Sequence, residues 1–332
     1  MKIYVAMPRN DVSKTFWTQE NIDMLESLGE VTWNESDVRK MDPEKLRDAL
    51  VDVDVCVCGW HVGCFNEFTL AKANKLKLIA YTAGSVATVV SDYMYERGIR
   101  IVGANEVFAR TVAEGTLAQM MYSLRRFAQY DMRVCHWKPT NFYNESLFDQ
   151  TVGIVGYGAI SRNLIEMLKV FKCKIKLFSN HTTEEQAAAI GVQKASLQEI
   201  FSTCHVVSLH AAKSPANHHM INDELLSLMH QDAILINTAR GDLIDEEALA
   251  KHLLSGHIRA GLDVYSPEPP VDESPLWTVP ADRLHMLPHQ AGPTIDQRPA
   301  CARFVIEDII RFMNGEPLQN EITNARAKVM TR

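Results

Sequence analysis

Short apolar runs alternate with amphipathic stretches along most of the chain. The runs are typical of buried parallel strands, and the stretches between them have the three-to-four-residue apolar spacing of helices. In the N-terminal part this pattern predicts strands at 3–6, 30–34, 53–58 and 76–81 and helices at 18–28, 43–50 and 66–73. Such alternation is typical of a parallel sheet covered by helices.

The same rhythm continues after a predicted long helix at 107–130. Leu117, Met120, Met121, Leu124 and Ala128 follow helical spacing in this helix and are predicted to be core residues. Strands are predicted at 151–155, 174–178, 206–210, 233–237, 259–263 and 284–287. Six strands with intervening crossovers fit a complete doubly wound sheet.

A last predicted helix, which begins near Thr294 and runs through Phe304 to Met313, has no place in this second sheet and is expected to pack on the N-terminal half. The pattern therefore predicts an α/β protein with two doubly wound parallel-sheet domains. The first is discontinuous, 1–103 and 294–332, and the second, 104–293, is inserted into it, with a hinge near residues 103 and 293.

A glycine turn lies between the strand at 151–155 and the following helix. Gly156 permits a tight turn, and Gly158 lets the backbone approach a pyrophosphate closely. The helix that begins at Ala159 and Ile160 offers backbone N–H groups to the negative charge of the pyrophosphate. Ser161 occupies the third glycine position, so an ordinary tight turn is the alternative. The strand-turn-helix context favours a bound dinucleotide.

Three polar side chains follow three consecutive strands of the second sheet. They are Arg240, Glu268 and His289, and the carboxyl ends of such strands face ligands. An arginine can bind a carboxylate, a histidine can transfer a proton, and a glutamate can tune that histidine. Taken singly, they could be a surface turn residue, a solvated loop charge and a core histidine. Their occurrence at consecutive strand ends favours a catalytic set.

Composition narrows the functional class. The chain has 332 residues, 46% of them hydrophobic, and a net charge of −7, which gives no basic surface for nucleic acid. No apolar run is long enough to span a membrane, and the first residues resemble a strand more than a signal peptide, so we expect a soluble, cytoplasmic protein.

Seven cysteines are spread through predicted strands and helices, as in a reducing compartment. Cys56, Cys58 and Cys64 could be considered a metal site, but no partner has zinc-like spacing, and we expect buried thiols and no metal.

Together, these motifs resemble the D-isomer-specific 2-hydroxyacid dehydrogenase family over nearly the whole chain. The glycine turn, the segment Asn237-Thr-Ala-Arg240-Gly-Asp-Leu-Ile-Asp, the segment from Gly261 to Glu268 and the pair Pro288-His289 occur in family order. The resemblance implies a Rossmann nucleotide domain inserted into a flavodoxin-like substrate domain. It also implies NAD or NADP as cofactor, a small 2-oxo or D-2-hydroxy acid as substrate, and a homodimer.

The resemblance also implies residue roles. Arg240 would hold the substrate with backbone N–H groups of Ala83, Gly84 and Ser85, while His289 donates a proton and Glu268 raises its pKa. Asp263 would anchor the nicotinamide carboxamide, the alternative being a structural loop carboxylate. The implied cofactor-binding residues are Gly156, Gly158, Ala159, Ile160, Ser179, Asn180, His210, Thr238, Ala239, Arg240, Asp263, His289 and Gly292.

The cofactor's ribose position departs from the family pattern. NAD-specific members carry an Asp at the end of the second nucleotide-domain strand, where this chain has Ser179, Asn180 and His181. Because an acidic residue would repel a 2′-phosphate, its absence admits NADP and slightly favours it.

The substrate loops are less informative. Gly59–Gly63 contains Trp60 and His61 but no Lys or Arg, which argues against a phosphorylated substrate. Trp60 is either an apolar wall for a substrate side chain or a core residue. Gln290 and the segment Ser85-Val-Ala-Thr also depart from the family pattern, so the specific acid stays open, with glyoxylate, hydroxypyruvate or pyruvate as the default class.

Two alternatives share the fold. Formate dehydrogenases pair the histidine with Gln, and Glu268 counts against them. NAD(H)-sensing binding proteins need no turnover, and the intact set of Arg240, Glu268 and His289 disfavours a purely binding role.

Overall fold

The computed structural model describes residues 1–138 and 143–330. The chain forms two compact units: unit 1 contains Met1–Phe108 and Pro293–Arg332, and unit 2 contains Ala109–Gly292. Each unit has one parallel sheet, of five strands in one and seven in the other. The predicted α/β fold with two doubly wound parallel sheets is therefore confirmed.

The sheet of unit 1 is formed by the N-terminal part of the chain. Its elements are β1 (Lys2–Val5), α1 (Asp11–Lys14), α2 (Gln19–Glu26), β2 (Glu30–Trp33), α3 (Pro43–Ala49), β3 (Val55–Cys58), β4 (Leu78–Tyr81), α4 (Asp92–Glu96) and β5 (Arg100–Gly103). The strand order is β2-β1-β3-β4-β5. The order reverses direction between β1 and β3, and ligands of open parallel sheets bind beyond the carboxyl ends at such a switch point. The four predicted strands are found within two residues of their expected bounds, whereas β5 was not predicted.

The helix predicted at 66–73 is wrong, because the chain there forms successive turns. Thr69 Oγ1 accepts a hydrogen bond from the Asn66 N–H, and Asn66 Oδ1 accepts one from the Thr69 N–H. Short polar side chains that bond the local backbone compete with helical hydrogen bonds. The apolar spacing alone did not reveal this competition.

Unit 2 contains the longer sheet. Its elements, beginning with a helix that starts in unit 1, are α5 (Asn105–Arg125), β6 (Thr151–Val155), α6 (Ala159–Val170), β7 (Lys174–Phe178), α7 (Glu184–Ala189), β8 (Gln193–Lys194), α8 (Leu197–Thr203), β9 (Val206–Leu209), α9 (Asp223–Ser227), β10 (Ile234–Asn237), α10 (Glu246–Leu254), β11 (Arg259–Leu262) and β12 (Leu284–Met286). The strand order is β12-β11-β10-β9-β6-β7-β8, all parallel. The six predicted strands are present, and the two-residue β8 extends the sheet at one edge.

Helix α5 is shorter than predicted. It ends at Arg125, because Arg126 adopts a left-handed conformation with φ of 54°, which a right-handed helix cannot continue. Met120 and Leu124 are buried as expected, but Met121 is 36% exposed, so its assignment to the core was wrong.

The C-terminal helices are α11 (Arg298–Met313) and α12 (Asn324–Lys328). The apolar face of α11, including Cys301, Val305 and Ile309, packs in one cluster with Ile3 and Val57 of the first sheet. The prediction that the last long helix packs on the N-terminal half is confirmed.

Two further findings bear on the chemistry. No helix in the described part of the chain is long and apolar enough to cross a bilayer. The seven cysteines are free thiols, of which Cys56 and Cys58 are fully buried on β3 and Cys64 is partly buried.

Candidate active site

The predicted catalytic residues follow neighbouring strands of unit 2. Arg240 lies after β10, Glu268 after β11 and His289 after β12, and these three strands are adjacent and parallel. Their carboxyl ends therefore share one edge of the sheet. The residues are 28 and 21 positions apart in sequence, so the sheet alone brings their loops together.

Tyr265 connects these three loops. Its hydroxyl, which has a single proton to donate, lies 3.1 Å from Leu262 O and 2.9 Å from Leu287 O and joins the ends of β11 and β12 by a shared hydrogen bond. Its backbone N–H donates to Glu268 Oε1 at 3.1 Å. At Gly241, an added Cβ would lie 1.9 Å from the Tyr265 carbonyl carbon, so only glycine allows the Arg240 turn to pack this closely. Sequence reasoning did not identify Tyr265, whose aromatic ring and hydroxyl carry no local pattern.

His289 and Glu268 form a direct pair. His289 Nδ1 lies 2.8 Å from Glu268 Oε2. The hydrogen bond to Glu268 raises the pKa of His289 against the opposing effect of burial. Burial alone would raise the pKa of Glu268, but its hydrogen bonds with His289 and the Tyr265 N–H, together with the charges of His289 and Arg240, bring it below the usual value. The pair therefore favours imidazolium beside carboxylate.

Arg240 is held by a compact turn. Asn237 donates from Nδ2 to Arg240 O (2.9 Å), and Asn237 Oδ1 accepts from the Ala239 N–H (3.0 Å). Arg240 Nη1 donates to Ala239 O at 2.6 Å. Burial lowers the pKa of Arg240, and the charge of Glu268 opposes that shift. A guanidinium stays charged under these conditions, so Arg240 offers a fixed positive charge near Glu268.

Asp263 binds the backbone beside the histidine. Its two carboxylate oxygens accept the N–H groups of Gln290 (2.8 Å) and Ala291 (2.9 Å), and its side chain is almost fully buried. His289 itself has a positive φ of 50°, which these anchors help to hold. This is the geometry of a structural loop carboxylate, the alternative considered from the sequence. An additional contact to a nicotinamide stays a prediction.

The glycine turn has the shape that a pyrophosphate requires. Gly156 has a φ of 103°, and an added Cβ would lie 2.6–2.7 Å from backbone atoms of His210 and Ala211. At Gly158, by contrast, an added Cβ would meet nothing within 4 Å, so the turn is open on that side. Tight packing beneath and open space above fit a dinucleotide approaching the start of α6.

Ser161 occupies the position of the third glycine of the dinucleotide-binding motif and makes local hydrogen bonds there. It is fully buried, and its Oγ accepts the Gly158 N–H at 2.7 Å while donating to Gly158 O at 3.1 Å. The serine therefore caps the first turn of α6. The helical residues Ala159 and Ile160 that follow the turn are both partly exposed.

Two other predicted cofactor residues make buried contacts. His210 Nε2 lies 2.9 Å from Ser208 Oγ, while its Nδ1 is buried with no hydrogen-bond partner among the described residues. Burial lowers the pKa of His210 to about 4, so the ring is neutral at physiological pH. Thr238 Oγ1 lies 2.8 Å from Thr116 Oγ1 of α5. Neither Ser208 nor Thr116 was singled out from the sequence, since both resemble ordinary strand and helix residues.

The residues that follow β7 differ in their exposure to solvent. Ser179 is buried, and its Oγ accepts hydrogen bonds from the His181 N–H (3.2 Å) and Thr182 Oγ1 (2.9 Å). Asn180 and His181 are exposed. The serine therefore shapes the turn, while the neighbouring side chains are open to solvent. Of the remaining predicted residues, Ala239 is buried and Gly292 is partly exposed.

The predicted substrate residues lie in unit 1. Ala83, Gly84 and Ser85 follow β4, with Ala83 buried and the other two partly exposed. Trp60, after β3, packs edge-on against Phe16 (5.4 Å between centroids) and Phe108 (5.8 Å). Trp60 is thus a partly buried member of an aromatic cluster at this end of the sheet. Whether it contacts substrate stays a prediction.

Comparisons with known proteins identify the family. A model described as "D-isomer specific 2-hydroxyacid dehydrogenase, NAD binding domain" matches residues 117–291. A D-3-phosphoglycerate dehydrogenase of Methanocaldococcus jannaschii is 32% identical over 92% of this chain and 57% of its own length. A glyoxylate reductase of Pyrococcus furiosus is 29% identical over 90% of both chains. The crystal structure of the TT0316 protein from Thermus thermophilus superimposes with a TM-score of 0.79 at 26% identity, covering 97% of this chain and 100% of that one.

The match is broad, although the chain spans little more than half the length of the phosphoglycerate dehydrogenase relatives. The matched model covers more than half of this chain and includes the glycine turn, Arg240, Glu268 and His289. The chain belongs to the D-isomer-specific 2-hydroxyacid dehydrogenase family.

Proposed function

We propose that this protein is an oxidoreductase that transfers a hydride between NAD(P)H and a small 2-oxo acid, interconverting it with the D-2-hydroxy acid. The glyoxylate and hydroxypyruvate type of reductase is the best-supported class, given the relative named glyoxylate reductase that aligns over 90% of both chains. The observation that carries the proposal is the pair of His289 and Glu268 at 2.8 Å, with the charge of Arg240 acting on Glu268.

The backbone around the glycine turn supports the binding of a dinucleotide. Gly156 leaves no room for a side chain, Gly158 opens to solvent, and the buried Nδ1 of His210 has no hydrogen-bond partner among the described residues. We assign unit 2 as the dinucleotide-binding domain and unit 1 as the substrate domain. The exposed Asn180 and His181 and the absence of an acidic residue at Ser179 slightly favour NADP over NAD.

When bound, the nicotinamide supplies or accepts the hydride. The protein residues supply charge and a proton. Arg240 binds the carboxylate of the 2-oxo acid and polarises its keto oxygen. His289 is bonded through Nδ1 to Glu268, which leaves Nε2 to donate a proton to the oxygen on C2 as that oxygen gains charge. Glu268 stabilises the imidazolium before transfer, and in the oxidative direction the neutral ring accepts the proton.

A substrate panel tests the proposal. Glyoxylate, hydroxypyruvate and pyruvate are offered with NADH and with NADPH, and nicotinamide absorbance is followed. We expect turnover of at least one acid. No turnover with any 2-oxo acid, monocarboxylic or dicarboxylic, together with tight cofactor binding, would instead support the NAD(H)-sensing alternative. A clear preference for NADH would overturn the NADP assignment.

His289→Ala tests the proton donor. Removing a positioned general acid is expected to lower kcat/KM for reduction by about 10²-fold or more. Cofactor affinity should stay close to that of the wild type. His230→Ala, which removes an exposed histidine of the same unit, is the matched control. Turnover by His289→Ala at the wild-type rate would refute the assignment.

We further propose a homodimer located in the cytoplasm. From the last turns of α5 to β6, unit 2 exposes a set of large apolar side chains: Met121, Tyr122, Phe127, Met132, Val134, Trp137, Tyr143 and Phe148. Such a concentration of exposed apolar surface is typical of an interaction site. Sedimentation equilibrium measures the oligomeric state, and a monomer at micromolar concentration would refute the dimer. Cell fractionation tests the location.

A further inference from the structure

Arg298 differs from the other arginines of helix α11. Arg303 pairs with Glu20 and Glu307, and Arg311 contacts Asp308 and Glu316. Arg298 has no carboxylate partner among the described residues, although its side chain is half-buried. A half-buried charge without a counter-ion is unfavourable unless something else compensates it. The surroundings of Arg298 indicate what that could be.

The guanidinium lies over two aromatic rings. Its Cζ is 5.8 Å from the centroid of Phe16 and 5.6 Å from that of Trp60. Nε donates to Pro293 O at 3.3 Å and Nη1 donates to Thr15 Oγ1 at 3.1 Å. Nη2 has no hydrogen bond within the described part of the chain. The rings and these two bonds fix the plane of the guanidinium and leave N–H donors unused.

The position of this group in the sheet is informative. Thr15 and Phe16 belong to the connection after β1, and Trp60 belongs to the loop after β3. The strand order of unit 1 reverses between β1 and β3, so Arg298 lies at the switch point where open parallel sheets bind ligands. Trp60 also contacts Phe108, whose ring would lie 3.3 Å from a Cβ added at Gly84, so the cluster continues to the loop after β4.

The loop sequence did not reveal this charge. Gly59–Gly63 contains no Lys or Arg, and its lack of basic residues argued against a phosphorylated substrate. The tertiary structure brings Arg298 to this loop from more than 200 residues further along the chain. It also brings Arg39, whose Nε donates to His61 Nε2 at 2.8 Å. Arg39 is exposed and occupied by that contact, so Arg298 is the better-placed cation.

Resting on the proposed function, we propose that Arg298 is a specificity-determining residue that binds a second carboxylate, at the far end of a dicarboxylic 2-oxo acid. A planar guanidinium matches a planar carboxylate through two parallel N–H···O bonds. One cation backed by aromatic rings suits a singly charged group better than a phosphate dianion. The aliphatic part of such a substrate would lie against Trp60, which is the first of the two roles considered for that side chain from the sequence.

The test compares two substrate classes within each variant. kcat/KM is measured for 2-oxobutyrate, which has one carboxylate, and for 2-oxosuccinate and 2-oxoglutarate, which have two. In the wild type the dicarboxylates should be preferred. In Arg298→Gln the ratio of dicarboxylate to monocarboxylate kcat/KM should fall by about tenfold or more, through KM. Arg298→Lys keeps the charge without the planar fork and should give an intermediate ratio.

Controls separate specificity from structure. Arg303→Gln neutralises an exposed arginine of the same helix and should leave the ratio unchanged. If Arg298 only stabilises the fold, Arg298→Gln will lower all activities together and leave the ratio as in the wild type, which would overturn the proposal. Preference for a 2-oxo acid ending in a phosphate, over both dicarboxylates, would overturn the choice of a carboxylate.

Failure of the proposed function gives a different result. If the wild type reduces no 2-oxo acid with either cofactor, calorimetric titration with 2-oxoglutarate still tests the site. Binding that Arg298→Gln weakens by about tenfold supports the carboxylate site without the reaction. Equal affinity of the two proteins, or no binding to either, refutes it.

Discussion

Replacing Glu268 with Gln should move the pH dependence of the reaction. The substitution keeps the size of the side chain and removes its charge. Glu268 Oε2 lies 2.8 Å from His289 Nδ1, and this hydrogen bond is the main cause of the raised pKa of His289. An amide in the same place no longer stabilises imidazolium. The pKa of His289 should therefore fall.

The size of the shift follows from the exposure of the pair. The side chain of His289 is 51% exposed and that of Glu268 is 35% exposed, so solvent screens much of their attraction. A charge-assisted hydrogen bond in such a setting contributes about 1–1.5 kcal/mol, below the value for a buried pair. Since about 1.4 kcal/mol corresponds to a factor of ten in an equilibrium constant, the ratio of imidazolium to neutral imidazole at a given pH should fall by up to about tenfold.

The direction of the effect differs between the two reaction directions. Reduction needs protonated His289 and so fails as pH rises through its pKa, whereas oxidation needs the neutral ring and fails as pH falls. In Glu268→Gln both limits should move to lower pH. Near neutral pH, reduction therefore loses more than oxidation does.

The assay is kcat/KM as a function of pH in both directions, because this parameter reports groups of the free enzyme. Glu246→Gln is the matched control: Glu246 accepts the Ser266 N–H at 2.9 Å in the same loop region but does not contact His289. Its profile should keep the wild-type limits. Unchanged limits in Glu268→Gln would refute the reasoning that Glu268 sets the pKa of His289.

Four other substitutions test the surrounding site. Gly156→Ala forces a Cβ to within 2.6–2.7 Å of the backbone at His210 and Ala211 and should lower both stability and cofactor affinity. Gly158→Ala has open space around it and should weaken cofactor binding with little change in the unfolding midpoint, so equal midpoints for the two variants would contradict this reasoning. Asp263→Asn places an amide N–H against the backbone N–H of Gln290 or Ala291 and should reduce the free energy of unfolding by about 1–3 kcal/mol. Urea denaturation measures this value, and an unchanged value would show that these hydrogen bonds do not hold the loop of His289. Ser179→Asp can still accept hydrogen bonds from the His181 N–H and the Thr182 hydroxyl, and its charge should shift the ratio of kcat/KM with NADH to kcat/KM with NADPH about tenfold toward NADH. An unaltered ratio would place the adenosine ribose of the cofactor elsewhere.

Much of the architecture could be read from the chain itself. The apolar runs located the strands of both sheets to within two residues, except β5 and β8. Most of the located strands are buried on both faces and therefore need a continuous apolar segment, although the edge strand β2 is largely exposed. The glycine turn and the polar residues after β10, β11 and β12 could also be predicted as site residues. In a parallel sheet the carboxyl ends of the strands lie at the same edge, where ligands bind. Local errors, such as the helix at 66–73 and the end of α5, arose where side-chain hydrogen bonds or a left-handed residue overrode apolar spacing.

Contacts between distant residues were decided only by the tertiary structure. No local pattern indicates that Tyr265 joins three loops, that Asp263 binds the backbone after His289, or that Arg298 covers Trp60. Each contact depends on how loops of different length pack at a sheet edge, and no local periodicity encodes that packing. The chain thus determines which chemical groups reach the carboxyl ends of its strands, while packing decides which of them are paired, which are buried and which keep an unused hydrogen bond for a ligand.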